Sequence, residues 1–366
     1  MSIEQIAPEY IRSISPYVPG KPIAELAREM GLDEAQIIKL ASNENPLGMS
    51  PKARHAMHAV LDDLARYPDG NGFALKETLS RKHGLGVGHF VLGNGSNDVL
   101  ELAVRAFLPA GSSAVYSQYS FAVYPLATQS VGGRGIEVPA RAYAHDLAAM
   151  ADAVAEDTHI VFLANPNNPT GSFIPAWLLE SFLEQIRRDV IVILDEAYSE
   201  YLPPELRYDS MAWVKRFPNL IVTRTFSKIY GLAGLRIGYA VADAKVAELI
   251  NRVRSPFNAN SVALAAAEAA LGDEAFIQKS YETNRAGLAQ ITRGLGELNL
   301  VHLPSAGNFV TFRVGDGAGV NRRLLKQGVI VRPIASYGMP EWLRVTIGQT
   351  EENARFLEAL AIALKG

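Results

Sequence analysis

Short runs of apolar, β-branched residues alternate along this chain with longer stretches in which apolar residues return every three or four positions. The short runs lie at 89–92, 113–116, 159–163, 190–194, 220–223 and 237–241, each bounded by Gly, Pro, Asn or Asp. Their near-continuous apolarity predicts strands buried on both faces, and the longer periodic stretches, such as 97–107 and 177–187, predict helices. This alternation between about 50 and 250 predicts a mostly parallel sheet covered by helices on both sides. Residues 243–299 then read as nearly continuous helix, including the alanine-rich 261–271. Strands near 308–313, 329–331 and 343–347 and a closing helix at 351–364 follow. The expected fold class is therefore α/β, a large domain with a mostly parallel sheet between helices plus a smaller α+β domain. The expected boundaries are 1–48 for an N-terminal arm and part of the small domain, 49–255 for the large domain and 256–366 for the small one, with a connecting helix from about 243. Pro8, Pro16, Pro19 and Gly20 predict little structure in residues 1–20.

A chain of 366 residues exceeds one ordinary hydrophobic core, in keeping with two domains. Its 35 Lys and Arg against 38 Asp and Glu, with no long run of either sign, leave no electrostatic footprint for nucleic acid and favour small-molecule chemistry. The absence of cysteine excludes disulfides, thiolate metal sites and a thiol nucleophile, and no metal is expected. The first residues carry no basic segment followed by an apolar one, and no apolar run reaches the roughly 18 residues of a membrane span, so a cytoplasmic location is expected.

Candidate chemistry gathers where predicted strands end. After the run at 220–223 comes Thr-Phe-Ser-Lys-Ile-Tyr-Gly, which puts Lys228 between a strand and a glycine-rich turn, with Thr225 and Ser227 just before it and Arg236 eight positions on. An amine framed by hydroxyls and a guanidinium suits pyridoxal 5'-phosphate, the amine for its carbonyl carbon and the other groups for its phosphate. Asn-Pro-Asn-Asn-Pro-Thr-Gly at 165–171 directly follows another strand, at the end where open α/β sheets bind ligands, and two prolines fix the turn. The buried run at 190–194 ends in Asp195, and a carboxylate there can keep a pyridine nitrogen protonated. Gly95, Ser96 and Asn97 form a glycine turn into a helix whose free amides, with Ser96 and Asn97 as caps, make an anion seat. The turn has neither the Gly-Lys-Ser/Thr ending of a P-loop nor the glycine spacing of a dinucleotide site.

Together these stretches resemble the fold-type I, pyridoxal-phosphate-dependent aminotransferases, whose architecture is that of aspartate aminotransferase. The resemblance implies that Lys228 binds the cofactor covalently, that Asp195 pairs with its ring nitrogen, and that Asn168 and Tyr198 hydrogen-bond its phenolic oxygen. It implies an aromatic stacked on the ring, for which Tyr119 is the choice and Phe121 the alternative, since Ser-Gln replaces the family's usual Pro-Thr before the tyrosine. Arg344, with Arg332, would grip the substrate anion. Tyr67, in Arg-Tyr-Pro-Asp-Gly at 66–70, would reach across a homodimer interface to the neighbouring cofactor phosphate. The motifs at 16–21 and 41–48, the Arg-Tyr-Pro-Asp motif and the short length resemble the histidinol-phosphate branch of the family, in which Tyr17, Asn43 and Glu44 would close the arm over the substrate. That branch moves an amino group between histidinol phosphate and 2-oxoglutarate. Branches acting on aromatic amino acids, or decarboxylating threonine phosphate, share most of these motifs and stay open as alternatives.

Overall fold

The computed structural model describes residues 3–17 and 19–365. Met1, Ser2, Val18 and Gly366, which fall in the expected arm, its 16–21 motif and the end of the expected small domain, lie outside the described residues. The strands are, in chain order, β1 (Ile38–Lys39), β2 (Phe90–Gly93), β3 (Ser113–Ser117), β4 (Arg134–Val138), β5 (Thr158–Ala164), β6 (Ile191–Asp195), β7 (Leu220–Thr225), β8 (Gly238–Ala242), β9 (Phe309–Arg313), β10 (Val329–Ile330), β11 (Arg332–Pro333) and β12 (Trp342–Thr346).

Seven strands form one sheet in the order β2-β8-β7-β6-β5-β3-β4, in which β8 alone runs antiparallel to its neighbours. Period-two alternation explains the apolar runs: Ile160 and Phe162 of β5 enter the core on one face while Val161 and Leu163 enter the core on the other. Helices Ser96–Phe107 and Ala244–Val253 contribute Val99, Leu100, Ala247 and Ile250 to the first core. Helices Pro51–Ala59, Phe73–His83 and Ser261–Leu271 contribute Ala53, Leu75, Leu79 and Ala263 to the second.

Four expectations change. β4 gave no apolar run because it is an edge strand paired only with β3, leaving Arg134 and Glu137 in water. The helical stretch is three helices, Ala244–Val253, Ser261–Leu271 and Glu274–Glu297, interrupted around Pro256 and at Gly272; Asn260 and Asp273 cap the second and third through side chains that accept from Ala263 N–H and Phe276 N–H. The large core also extends beyond residue 255, since Ser261–Leu271 packs into it. The arm is not bare: Pro8 opens the short helix Glu9–Arg12, tied down where Gln129 Nε2 donates to Tyr10 O at 2.9 Å.

The remaining strands form an antiparallel sheet, β11-β12-β9, and a parallel pair, β1-β10, around a separate core that includes Leu40, Phe312, Leu343 and Phe356. Residues 38–40 thus belong with the end of the chain, and the segment that follows them passes across the carboxyl ends of β5, β6 and β7.

Candidate active site

At those strand ends opens a cavity of about 260 Å³, lined by the large sheet on one side and by β11 and β12 on the other. Asp195 closes β6 and lies buried beneath it. Tyr124 Oη donates to its Oδ2 at 2.9 Å and Thr223 Oγ1 to its Oδ1 at 3.1 Å. Burial pushes the Asp195 carboxyl above the usual carboxylate range, against the pull of Tyr124, Thr223 and the Ala197 N–H. Lys228, in the turn after β7, donates from Nζ to Ser42 O at 3.0 Å and stands 5.7 Å from the centre of the Tyr198 ring. Its pKa falls to about 8, first through burial and then through Arg344 and Arg236, with Glu44 and Asp195 opposing. Tyr198 Oη accepts from Asn43 Nδ2 at 2.9 Å, and burial lifts this phenol to about 12.

The glycine turn after β2 delivers the second part of the cavity. Gly95, at φ 85° and ψ 167°, occupies the cap position expected of Ser96 or Asn97, and no side chain caps the helix. The first-turn amides therefore have no partner within the helix. Arg236, itself at φ 55°, closes against this turn: a Cβ on Gly95 would run into its guanidinium. Arg236 Nη1 donates to Ser227 Oγ at 3.1 Å, and Ser227 N–H donates to Thr225 Oγ1 at 3.1 Å. Ser96, Asn97, Thr225, Ser227 and Arg236 all line the cavity, so hydroxyls, amides and a cation face one spot.

The third part is cationic. Arg332 and Arg344 are cross-strand partners in the β11-β12 pair, both buried. Arg344 Nη1 donates to Asn168 Oδ1 and Nη2 to Ala41 O at 2.7 Å, while its buried Nε has no hydrogen-bond partner. The Arg332 guanidinium lies 5.1 Å over the Tyr17 ring. Tyr17, Asn43 and Glu44 line the same cavity, Glu44 accepting from Lys39 Nζ at 2.9 Å.

Two expected residues lie elsewhere. Tyr119 is not at the cavity: its backbone turns through φ 56°, and its ring stacks on Tyr143 at 5.5 Å within the cluster of Ile334, Met339 and Trp342. Phe121 lines the cavity instead. Tyr67 is 82% exposed and stacks on Phe257 at 4.7 Å, outside the cavity of its own chain. Sequence reasoning missed Tyr124, Thr223 and the Ser42 carbonyl; Tyr124 had a signal, as the last aromatic of the 116–124 stretch. Among the described residues no cluster of His, Asp or Glu could hold a metal, and no helix is long and apolar enough to cross a membrane.

The model of the family described as aminotransferase class I and II matches residues 35–360. The chain belongs to this family. The aminotransferase chain is 61% identical, over 366 residues, to histidinol-phosphate aminotransferase 2 of Nitrosospira multiformis, covering 100% of this chain and 93% of that one. It is 61% identical over 362 residues to histidinol-phosphate aminotransferase 1 of Cupriavidus pinatubonensis, covering 98% and 96%. A crystal structure of histidinol-phosphate aminotransferase from Sinorhizobium meliloti in complex with pyridoxal 5'-phosphate superposes with a TM-score of 0.90 at 28% identity, covering 98% of this chain and 97% of that one.

The aminotransferase cavity fits that cofactor on its own chemistry. Asp195 is a buried carboxylate with no ion pair among the described residues, a match for a protonated ring nitrogen. The uncapped helix start beside Arg236, Thr225 and Ser227 matches a phosphate. Lys228 is a half-buried amine whose lowered pKa supplies more of the neutral form, the one that attacks a carbonyl.

Proposed function

We propose that this enzyme uses pyridoxal 5'-phosphate to move an amino group between L-histidinol phosphate and 2-oxoglutarate, interconverting them with imidazole acetol phosphate and glutamate, in histidine biosynthesis in the cytoplasm. The observation that carries this reading is the 61% identity, over the whole chain, to a histidinol-phosphate aminotransferase. When bound, the cofactor draws electrons from the substrate α-carbon and so makes its proton removable, a task no side chain performs. Lys228 anchors the cofactor and, once freed, takes the proton from that carbon and returns it elsewhere on the reacting system. Asp195 holds a proton on the ring nitrogen. Asn168, whose Oδ1 is taken by Arg344, offers its Nδ2 to the phenolic oxygen beside Tyr198. Ser96, Asn97, Thr225, Ser227 and Arg236, with the turn at Gly95 behind them, hold the cofactor phosphate, and Phe121 takes the ring-facing place expected of Tyr119.

The substrate anion goes to Arg344 and Arg332. Arg332 and Arg344 face each other directly on neighbouring strands and the buried Nε of Arg344 has no hydrogen-bond partner, so an anion there gains charge-assisted hydrogen bonds. One clamp then serves the phosphate of one substrate and a carboxylate of the other, with Tyr17, Asn43 and Glu44 closing over it. The enzyme works as a homodimer in which Tyr67 of each chain completes the other's site. The arginines belong to the small domain expected at 256–366, of which the helix Ser261–Leu271 packs with the large core.

A half-reaction screen tests the reading. The purified enzyme loaded with cofactor is mixed with histidinol phosphate, glutamate, phenylalanine, tyrosine and threonine phosphate, and the cofactor absorbance is followed. Histidinol phosphate and glutamate are expected to convert the cofactor fastest. A large preference for phenylalanine or tyrosine would assign an aromatic aminotransferase, and carbon dioxide release from threonine phosphate would assign a decarboxylase.

A further inference from the structure

We infer that Tyr124 is a positioning residue whose hydrogen bond keeps Asp195 a weaker base than it would be without that bond, so that a proton shared between Asp195 and the cofactor ring nitrogen stays on the nitrogen. The inference rests on the role proposed for Asp195. Tyr124 is the second residue of helix Val123–Ser130 and is fully buried, with its ring stacked on Phe162 at 4.7 Å and 10° and edge-on to Phe121 at 5.9 Å. That packing leaves the hydroxyl one direction, onto Asp195 Oδ2 at 2.9 Å. Thr223 takes Oδ1 from the neighbouring strand, and the Ala197 N–H adds a backbone donor.

Both side-chain donors, like the Ala197 N–H, act on the ionised form and lower its affinity for a proton. A phenol is the stronger acid of the two and so the stronger donor. Tyr124 does not itself release the proton, because burial, and then the charge and hydrogen bond of Asp195, hold it well above the ordinary tyrosine range. The other titratable groups facing the pair are Glu196 on the same strand end, Lys228, Tyr198 and Tyr337. Among the described residues none of these bonds to the Asp195 carboxylate. Lys228 favours its ionised form and Glu196 opposes it, while burial raises the carboxylate's proton affinity and Tyr124, ahead of Thr223 and the Ala197 N–H, lowers it. A more basic Asp195 would draw the proton from the ring and weaken the electron sink.

Tyr124→Phe removes the hydroxyl and keeps the ring. With cofactor labelled with ¹⁵N at the ring, the nitrogen resonance of the wild type is expected at the protonated position at neutral pH and that of the variant displaced toward the unprotonated one. Independently, cofactor binding to the apoprotein needs Asp195 ionised, so its acid limb should move up by about one pH unit in the variant. Thr223→Val should move both readouts the same way by less. Tyr124 as mere packing predicts instead a lower thermal midpoint of the apoprotein with the nitrogen resonance and acid limb in place, and that result overturns the inference. An Asp195→Asn enzyme whose nitrogen resonance matches the wild type would overturn the role of Asp195 and this inference with it, whereas an effect of Asp195→Asn without one of Tyr124→Phe overturns only the inference.

Discussion

A half-buried lysine near two arginines gives up its proton early. With a pKa of about 8, set first by burial and then by Arg344, Lys228 has about one amine in ten neutral at pH 7, against fewer than about one in a thousand for an ordinary lysine. Above the pKa the amine is neutral and nucleophilic. Loading of pyridoxal 5'-phosphate onto the apoprotein should therefore accelerate as pH rises through about 8 and level off beyond it, as stopped-flow absorbance would record. A flat profile across that range would refute the assignment. Lys228→Ala should abolish turnover, and after borohydride reduction the pyridoxyl label should map to the Lys228 peptide alone. That Lys228 and Asp195 would come to one cavity was legible in the sequence because each sits at the end of an apolar strand beside residues of matching chemistry. The ring-facing aromatic was not: residues 119, 121 and 124 are all aromatic, and only the positive φ at Tyr119 turns that side chain away from the cavity. The Tyr124–Asp195 contact joins residues 71 positions apart, on different elements, and no local pattern announces it.

Among the elements, the helix Ser96–Phe107 depends on one glycine. At φ 85° and ψ 167° Gly95 occupies a region that a side chain enters only at a cost of about 1–3 kcal/mol, and its missing Cβ is the space where Arg236 closes on the helix start. Gly95→Ala should lower stability toward urea by about that amount. It should also displace Arg236, weakening cofactor binding by about tenfold or more, or about 1.4 kcal/mol for each factor of ten. Equilibrium dialysis of pyridoxal 5'-phosphate against variant and wild-type apoprotein measures this; equal affinities would separate Arg236 from the phosphate seat. Elements buried on both faces were the readable ones, since β5, β6 and β7 expose almost no side chain and their sequences are nearly unbroken apolar runs. β4, at the sheet edge, has Arg134 and Glu137 in water and reads as loop. The helix breaks near 256 and 272 were blurred because periodicity persists across them, although Pro256 and Gly272 mark both.

Over the whole molecule, one chain carries aromatic side chains on its surface, away from its own cavity. Tyr67 is 82% exposed, and Phe257 stacked on it is 44% exposed, a surface that water does not favour and a second copy can cover. Tyr67 does not line its own cavity, so a role at a cofactor phosphate requires a partner chain. The two-fold arrangement usual for homodimers would return the contact from each chain to the other. This gives a complementation test in which neither parent works. A Lys228→Ala chain still carries Tyr67, and a Tyr67→Ala chain still carries Lys228. When equal amounts are dissociated and reassociated, half of the dimers should be hybrids. One of the two sites in each hybrid then holds Lys228 from one chain and Tyr67 from the other, while the second holds neither. Activity should therefore rise from the impaired level of the parents to roughly a quarter of the wild-type value per site. Sedimentation must show dimers throughout, and the recovery must vanish when both substitutions sit on one chain mixed with itself. Dimers that reassociate without recovering activity would place Tyr67 outside the shared site, and a wild-type protein that sediments as an active monomer would end the proposal of shared sites.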